Sequence, residues 1–242
     1  MTATAEIAIV TGSGMSEQFD LGRARVVVTE FGDAVVYIAS LDKKRFYVLP
    51  RHGVRQTVPP HRINYRANVA ALRQLGVRKV IATSAVGTLN KHFGVGSIGL
   101  VDQFLDFTKI RPTTFFDHGA VHTDMTHPYD EKLNAALGRA SNRLGLKLHW
   151  GLVYACVEGP RYESAAEIRM FRKLGADVVG MTGVPEVVLA NEVGLKYATV
   201  AIATNWAAGL QGKVSHEEVI STMKRSGKKV KRLIDETIRQ SK

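Results

Sequence analysis

Apolar positions fall into short β-branched runs near the start of the chain and into helical stripes towards its end. Residues 6–11 (Glu6-Ile7-Ala8-Ile9-Val10-Thr11) lead into Gly12-Ser13-Gly14, which predicts a strand entering a glycine-rich turn. Residues 25–29, 35–41 and 45–50 repeat the signal at close spacing, so a meander of strands precedes the first helix. At 63–75 the period changes: Ile63, Ala67, Ala70, Ala71 and Leu75 share one helical face, and Gly76 supplies the stop. Strands follow at 79–83 and 97–104, then an irregular stretch at 108–127 dense in turn formers. A loop of that length inside a compact domain is a candidate for function.

From 130 onwards helix and strand alternate: helix from 130 to 144, strand 150–157, helix 165–174, strand 177–179, helix 185–193, strand 197–203. Gly145, Gly175 and Gly194 close the three helices. The alternation predicts an α/β fold, a mixed, mostly parallel central sheet flanked by helices. No linker, repeat or low-complexity tract interrupts it, so a single domain over 1–242 is expected. The last thirty residues predict a long helix. Ser215 with Glu218 forms a capping-box pattern, and Val219, Ile220, Met223, Val230, Leu233, Ile234 and Ile238 form its stripe.

Composition narrows the classes of function. The 242 residues are 45% hydrophobic and 23% charged, ordinary for a globular chain, and argue against disorder or a fibrous repeat. Thirty-three Lys and Arg against 22 Asp and Glu give a formal charge of +11, which suits a nucleic acid, an anionic membrane or a small anionic substrate. No apolar run reaches the length of a membrane span, and Met1 to Met15 lack a basic leader segment, so a cytoplasmic protein is expected. Cys156 is the single cysteine, and no metal-ligand spacing is present. Of the net charge, +5 comes from the last thirty residues, nine basic against four acidic.

Several strand ends carry anion-binding chemistry. Gly12-Ser13-Gly14 brings backbone N–H groups and a hydroxyl to one turn, although Glu17 stands where a dinucleotide fingerprint needs glycine and no P-loop ending is present. Arg51-His52-Gly53 follows a strand, a place where an Arg fork and an imidazole suit a phosphate; a surface ion pair is the alternative. Thr83-Ser84-Ala85 and Met181-Thr182-Gly183 add two more hydroxyl-bearing strand ends.

Arg51-His52-Gly53, the stretch from Pro59 to Asn68 (Pro-Pro-His-Arg-Ile-Asn-Tyr-Arg-Ala-Asn), Thr83 to Gly87, Glu158-Gly159-Pro160-Arg161-Tyr162-Glu163 and Gly180 to Glu186 occur together and in order. In this the chain resembles the trimeric purine nucleoside phosphorylase and methylthioadenosine phosphorylase family over nearly its whole length. The resemblance implies phosphorolysis: inorganic phosphate, a co-substrate with no cofactor required, attacks the anomeric carbon of a purine nucleoside and releases the base and a sugar 1-phosphate. It assigns phosphate binding to Ser13, Arg51, His52, Ser84, Ala85 through its backbone, and Thr182. It assigns the sugar to Met181 and the base or sugar to Tyr162.

Three positions where the family divides are informative. Members acting on 6-aminopurines carry Asp where this chain has Asn205, and an amide can donate to N7 and to a 6-oxo group. Methylthioadenosine phosphorylases carry Ser where this chain has Glu163, a carboxylate able to accept N1–H, which 6-oxopurines have and adenine lacks. His216 corresponds to a histidine that bonds a 5′-hydroxyl, favouring inosine and guanosine; as the first residue of a capped helix it has a plain structural reading too. Asn205 and Glu163 are therefore expected to hold the base, with Ala207 following where adenine enzymes have a second Asp, and Gln56 standing where the methylthio branch often has His. His122, in the irregular stretch, corresponds to a residue reaching a neighbouring subunit, which implies a homotrimer or a dimer of trimers. The expected activity is a 6-oxopurine nucleoside phosphorylase. The Pro59–Asn68 stretch is closer to the methylthio branch and keeps 5′-methylthioinosine phosphorylase as the alternative. Methylthioadenosine phosphorylase, a non-catalytic nucleic-acid-binding relative and a dinucleotide-binding oxidoreductase are weaker rivals.

Overall fold

The computed structural model describes residues 5–213 and 215–241, without the side chain of His216. Strands β1 (Ile7–Thr11), β2 (Ala24–Thr29), β3 (Gly32–Leu41) and β4 (Lys44–Pro50) form the expected early group. Helix α1 (Tyr65–Gln74) leads to β5 (Lys79–Thr88) and β6 (Ile98–Phe107). After the long loop come α2 (Glu131–Arg143), β7 (Leu148–Val157), α3 (Ala165–Lys173), β8 (Val178–Gly180), α4 (Gly183–Glu192), β9 (Lys196–Trp206) and α5 (His216–Gln240).

All nine strands join one sheet in the order β2-β3-β4-β1-β5-β8-β7-β6-β9, and β9 also pairs with β5. Strands β5, β8, β7, β6 and β9 thus close a ring, from which β1, β4, β3 and β2 extend as an open wing. Five of the nine pairings are parallel and four antiparallel, so the sheet is mixed and mostly parallel as expected.

Helices cover both faces, and the strands between them alternate accordingly. On β1, Ala8 and Val10 pack with α1 and α4, whereas Ile7 and Ile9 pack with α2 and α5. Strand β9 does the same: Tyr197, Ala201 and Ala203 face one side, Ala198, Val200 and Ile202 the other. Two-sided burial is why these strands read as continuous apolar runs rather than as alternation with polar residues.

Local signals place the helix starts. The Asn64 side chain accepts the Ala67 N–H at 3.0 Å, so α1 begins at Tyr65, two residues later than the periodicity from Ile63 suggests. Ser164 and Glu167 form a complete capping box at α3. At α5 only half of the expected box is present. Ser215 Oγ accepts the Glu218 N–H at 3.2 Å, but the Glu218 carboxylate takes the Gln211 side-chain amide at 2.8 Å, tying the helix start to the preceding turn.

Candidate active site

A cavity of about 420 Å³ lies where residues following β1, β4, β7 and β8 meet the last residues of β5 and β9. Ser13, His52, Ser84, Ala85, Met181, Thr182, Tyr162, Glu163 and Asn205 all line it. Residues from four separate stretches of sequence with anion-binding chemistry therefore converge on one space.

At one end the hydroxyl groups are tied together by a residue outside every motif. Tyr154 Oη lies 3.1 Å from Ser84 Oγ and accepts the Thr182 N–H at 3.4 Å. Its ring is fully buried, and burial pushes its hydroxyl up to about 12, so it stays protonated. Gly180 makes room for it: a Cβ there would stand 2.1 Å from Tyr154 Oη. Thr182 directly precedes α4, whose first turn is interrupted at Val184, where the backbone is extended and the N–H meets Cys156 Sγ. Across from it, Thr83 Oγ1 accepts the Gly12 N–H at 3.1 Å, fixing the turn that carries Ser13.

His52 Nδ1 is 2.8 Å from the Val58 carbonyl, which can only accept, so Nδ1 carries the proton. Burial, with Arg51 adding to it, holds the imidazole below its ordinary value. The neutral ring then presents the Nε2 lone pair, an acceptor for a protonated phosphate oxygen.

Arg51 departs from the expected clamp. Its Nε and Nη2 donate to both carboxylate oxygens of Glu186, at 2.9 and 2.7 Å, and Nη1 donates to the Thr83 carbonyl at 2.7 Å. The fork that would grip a phosphate is filled by Glu186, which also accepts from Tyr197 Oη at 2.5 Å. Burial acts to lower the Arg51 guanidinium, but the Glu186 carboxylate beside it wins and holds it raised. The side chain sits behind the Gly12 turn, 3.1 Å from where a Gly12 Cβ would be, and does not line the cavity. It braces the turn against α4.

At the other end, Asn205 Nδ2 donates to the Trp206 carbonyl at 2.9 Å, and Oδ1 accepts from Thr204 Oγ1 at 2.8 Å. Because a carbonyl cannot donate, the amide orientation is fixed, with one N–H left over. Glu163 is 9% exposed, and burial, with Glu167 adding to it, pushes its carboxyl above the ordinary range. A donor from a bound ligand would restore the ionised form. Arg111 holds the turn before it: Nε meets Glu158 Oε1 at 3.1 Å and Nη1 meets the Val184 carbonyl at 2.7 Å. Tyr162 stands half-exposed at the rim.

Two further residues lie away from the cavity, Ala207 against expectation and His122 in keeping with a role at a neighbouring subunit. Ala207 is buried in an apolar cluster with Leu89 and Phe171 and does not line the cavity; its N–H is 3.0 Å from the Thr88 carbonyl at the end of β5. His122 is exposed in the long loop and is not part of this chain's cavity. The His216 side chain lies outside the described residues. The α5 residues Val219, Ile220 and Lys224 also line the cavity, although in the sequence Val219 and Ile220 read only as part of the helix's packing stripe. Among the described residues no three metal-ligating side chains cluster, and no helix is long and apolar enough to cross a membrane.

Comparison with known proteins fits this geometry. The profile described as "Phosphorylase superfamily" matches residues 6–239, and the chain belongs to that superfamily, whose similar members carry the names of nucleoside phosphorylases. A "Probable 6-oxopurine nucleoside phosphorylase" of Moorella thermoacetica is 49% identical, covering 96% of this chain and 92% of the relative. The "6-oxopurine nucleoside phosphorylase" of Pyrococcus furiosus is 44% identical over 94% and 90%. A "Probable S-methyl-5'-thioinosine phosphorylase" of Methanopyrus kandleri is 48% identical over 86% and 81%. Among solved structures, the methylthioadenosine phosphorylase of Schistosoma mansoni in complex with adenine superposes with a TM-score of 0.92 at 30% identity, covering 97% of this chain and 91% of that one.

Proposed function

We propose that this chain is a 6-oxopurine nucleoside phosphorylase, converting inosine or guanosine and phosphate to the free base and ribose 1-phosphate. The observation that carries the reading is the fixed Asn205 amide, whose remaining N–H is available to N7 or O6 of a purine. Glu163 complements it, because a carboxyl that burial disfavours in its ionised form gains most from a ligand N–H. As the bond from C1′ to the base breaks, the purine takes the electron pair and the ribosyl ring becomes cationic. A phosphate oxygen then bonds to C1′. Asn205 stabilises charge on the purine, while Ser13, His52, Ser84, the Ala85 backbone and Thr182 hold the phosphate against the ring. The enzyme acts in this reading as a cytoplasmic homotrimer, with His122 of each subunit serving a neighbour's site.

A second reading, 5′-methylthioinosine phosphorylase, is favoured by Val219 and Ile220, apolar side chains on the α5 wall of the cavity. It agrees with the printed name of the Methanopyrus relative.

Base release from inosine, guanosine, adenosine, methylthioinosine and methylthioadenosine in the presence of phosphate tests both. Inosine should exceed adenosine by about ten-fold or more in kcat/KM, since each unpaired polar group costs about 1–3 kcal/mol. Asn205→Asp should move the preference towards 6-aminopurines. Dominant adenine release by the unaltered enzyme would overturn the assignment.

A further inference from the structure

The end of β9 and the start of α5 are joined by side-chain bonds outside the groups that face the ligand. Asn205 Nδ2 donates to the Trp206 carbonyl at 2.9 Å, and the Trp206 N–H donates to Gln211 Oε1 at 2.8 Å. Gln211 Nε2 donates in turn to Glu218 Oε2 at 2.8 Å. Val219 and Ile220, the next residues of α5, line the cavity. A hydrogen-bonded path of three links therefore runs from the amide at the base end to the apolar wall that α5 contributes.

Gln211 does not itself line the cavity. Its backbone belongs to a tight turn, in which the Leu210 N–H donates to the Ala207 carbonyl at 3.0 Å and Ala208 bridges to Gln211. Gly209 brings this turn against the first residue of α3, where a Cβ would stand 2.5 Å from Ala165 Cβ. The Ala207 N–H ties the same turn to the Thr88 carbonyl on β5. The first turn of α5 borders Tyr162, whose hydroxyl is pushed up by burial, with Glu163, Glu217 and Glu218 adding to it. Trp206 offers an N–H and Glu218 a carboxylate, so a side chain with one acceptor and one donor joins them.

We propose that Gln211 is a positioning residue: it holds the α5 wall at a set distance from the Asn205 amide, so that a nucleoside is gripped at its base and at its sugar together. The inference rests on the phosphorylase reading of the site. Gln211 acts through Trp206 and Glu218 and does not touch substrate. Its loss loosens the wall, while Asn205 keeps Thr204 and the Trp206 carbonyl as partners. Free base, which has no sugar, is held as before.

The test compares the full-length enzyme with Gln211→Glu, Gln211→Leu, Glu218→Gln and the combination of Q211E with E218Q. KM for inosine, methylthioinosine and phosphate is measured, and hypoxanthine binding is titrated calorimetrically. Q211E sets two carboxylates against each other, and Q211L removes both bonds without adding charge. Each should raise KM for inosine about five- to ten-fold and keep the hypoxanthine Kd and the phosphate KM within about two-fold. Inosine and methylthioinosine should also move closer in kcat/KM. E218Q alone keeps an acceptor for Gln211 and should behave normally. In the combined variant the carboxylate at 211 accepts both from Trp206 and from the amide at 218, so most of the loss should be recovered, which a general loss of packing would not allow. An unchanged inosine KM in Q211E and Q211L, an equal rise in the hypoxanthine Kd, or a combined variant as impaired as Q211E would overturn the proposal. Base release from no nucleoside by the unaltered enzyme would sink the phosphorylase reading and the inference together. Normal cleavage that none of the variants affects would sink the inference alone.

Discussion

Tyr154 shows how one side chain can organise a site without belonging to a recognisable motif. Its hydroxyl joins Ser84 on β5 to the Thr182 backbone at the head of α4, setting the distance between two groups that face the ligand. Tyr154→Phe keeps the ring and removes the link. It should raise KM for phosphate by about five-fold, the value of one net hydrogen bond near 1 kcal/mol, with little change in the preference for inosine over adenosine; phosphate saturation curves check it. An unchanged phosphate KM would mean that Ser84 and Thr182 are placed by their backbones alone. The individual donors were legible in the sequence, because hydroxyls and glycines at strand ends announce anion chemistry. Their partners were not. Arg51 reads as a clamp until Glu186, 135 residues later, is found filling its fork, and nothing in local pattern pairs residues so far apart. Ala207 fails for a different reason: two residues beyond Asn205 it would share that residue's face in a continuing strand, but β9 ends at Trp206 and Ala207 packs with Leu89 and Phe171 instead.

Whole elements were easier to read than the ends that matter to the site. Strand β5 was expected to stop at Thr83, yet it continues to Thr88, and β9 continues past Ala203 to Trp206. Those extensions, Ser84 to Gly87 and Thr204 to Asn205, line the cavity, so polar and small residues replace the β-branched pattern just where the strand becomes functional. At the same point the register shifts between Val86 and Gly87, leaving Thr204 as an extra residue that bends β9 against β5. Helix α3 has a comparable double role. Its capping box begins one residue after Glu163, and Arg161 grips Glu167 with two bonds of 2.8 and 2.7 Å. Arg161 and the Ser164 N–H hold the Glu167 carboxyl down to about 2, so the cap stays ionised throughout the neutral range and is lost only in strong acid. Glu167→Ala should lower stability by about 1 kcal/mol and should also raise KM for inosine, because Tyr162 and Glu163 lie between the two ends of that clasp. Thermal unfolding and inosine kinetics measured together separate the effects; a stability loss with unchanged KM would make the box purely structural.

At the scale of the molecule, the +11 charge explains less about the site than its size suggests. Arg51 is matched by Glu186, and much of the excess lies on the exposed face of α5, whose opposite face packs Val230, Leu233 and Ile234 into the core. The closed ring of β5 to β9 was not legible either, since helix and strand alternation predicts crossovers but not which edges meet. One feature of the ring still lacks a role within a single chain: the long loop after β6 carries His122 exposed and away from its own cavity. If each site borrows His122 from a neighbour, a site needs Asn205 from one subunit and His122 from another. His122→Ala and Asn205→Ala should each impair inosine cleavage, and co-expression of the two variants should yield mixed oligomers in which some sites pair an intact Asn205 with an intact His122. Activity of the mixture should then exceed the average of the two variants, with the gain following the statistical fraction of restored sites, and sedimentation should report a trimer or a multiple of one. Activity equal to the average in a verified mixed oligomer would mean that each subunit completes its own site.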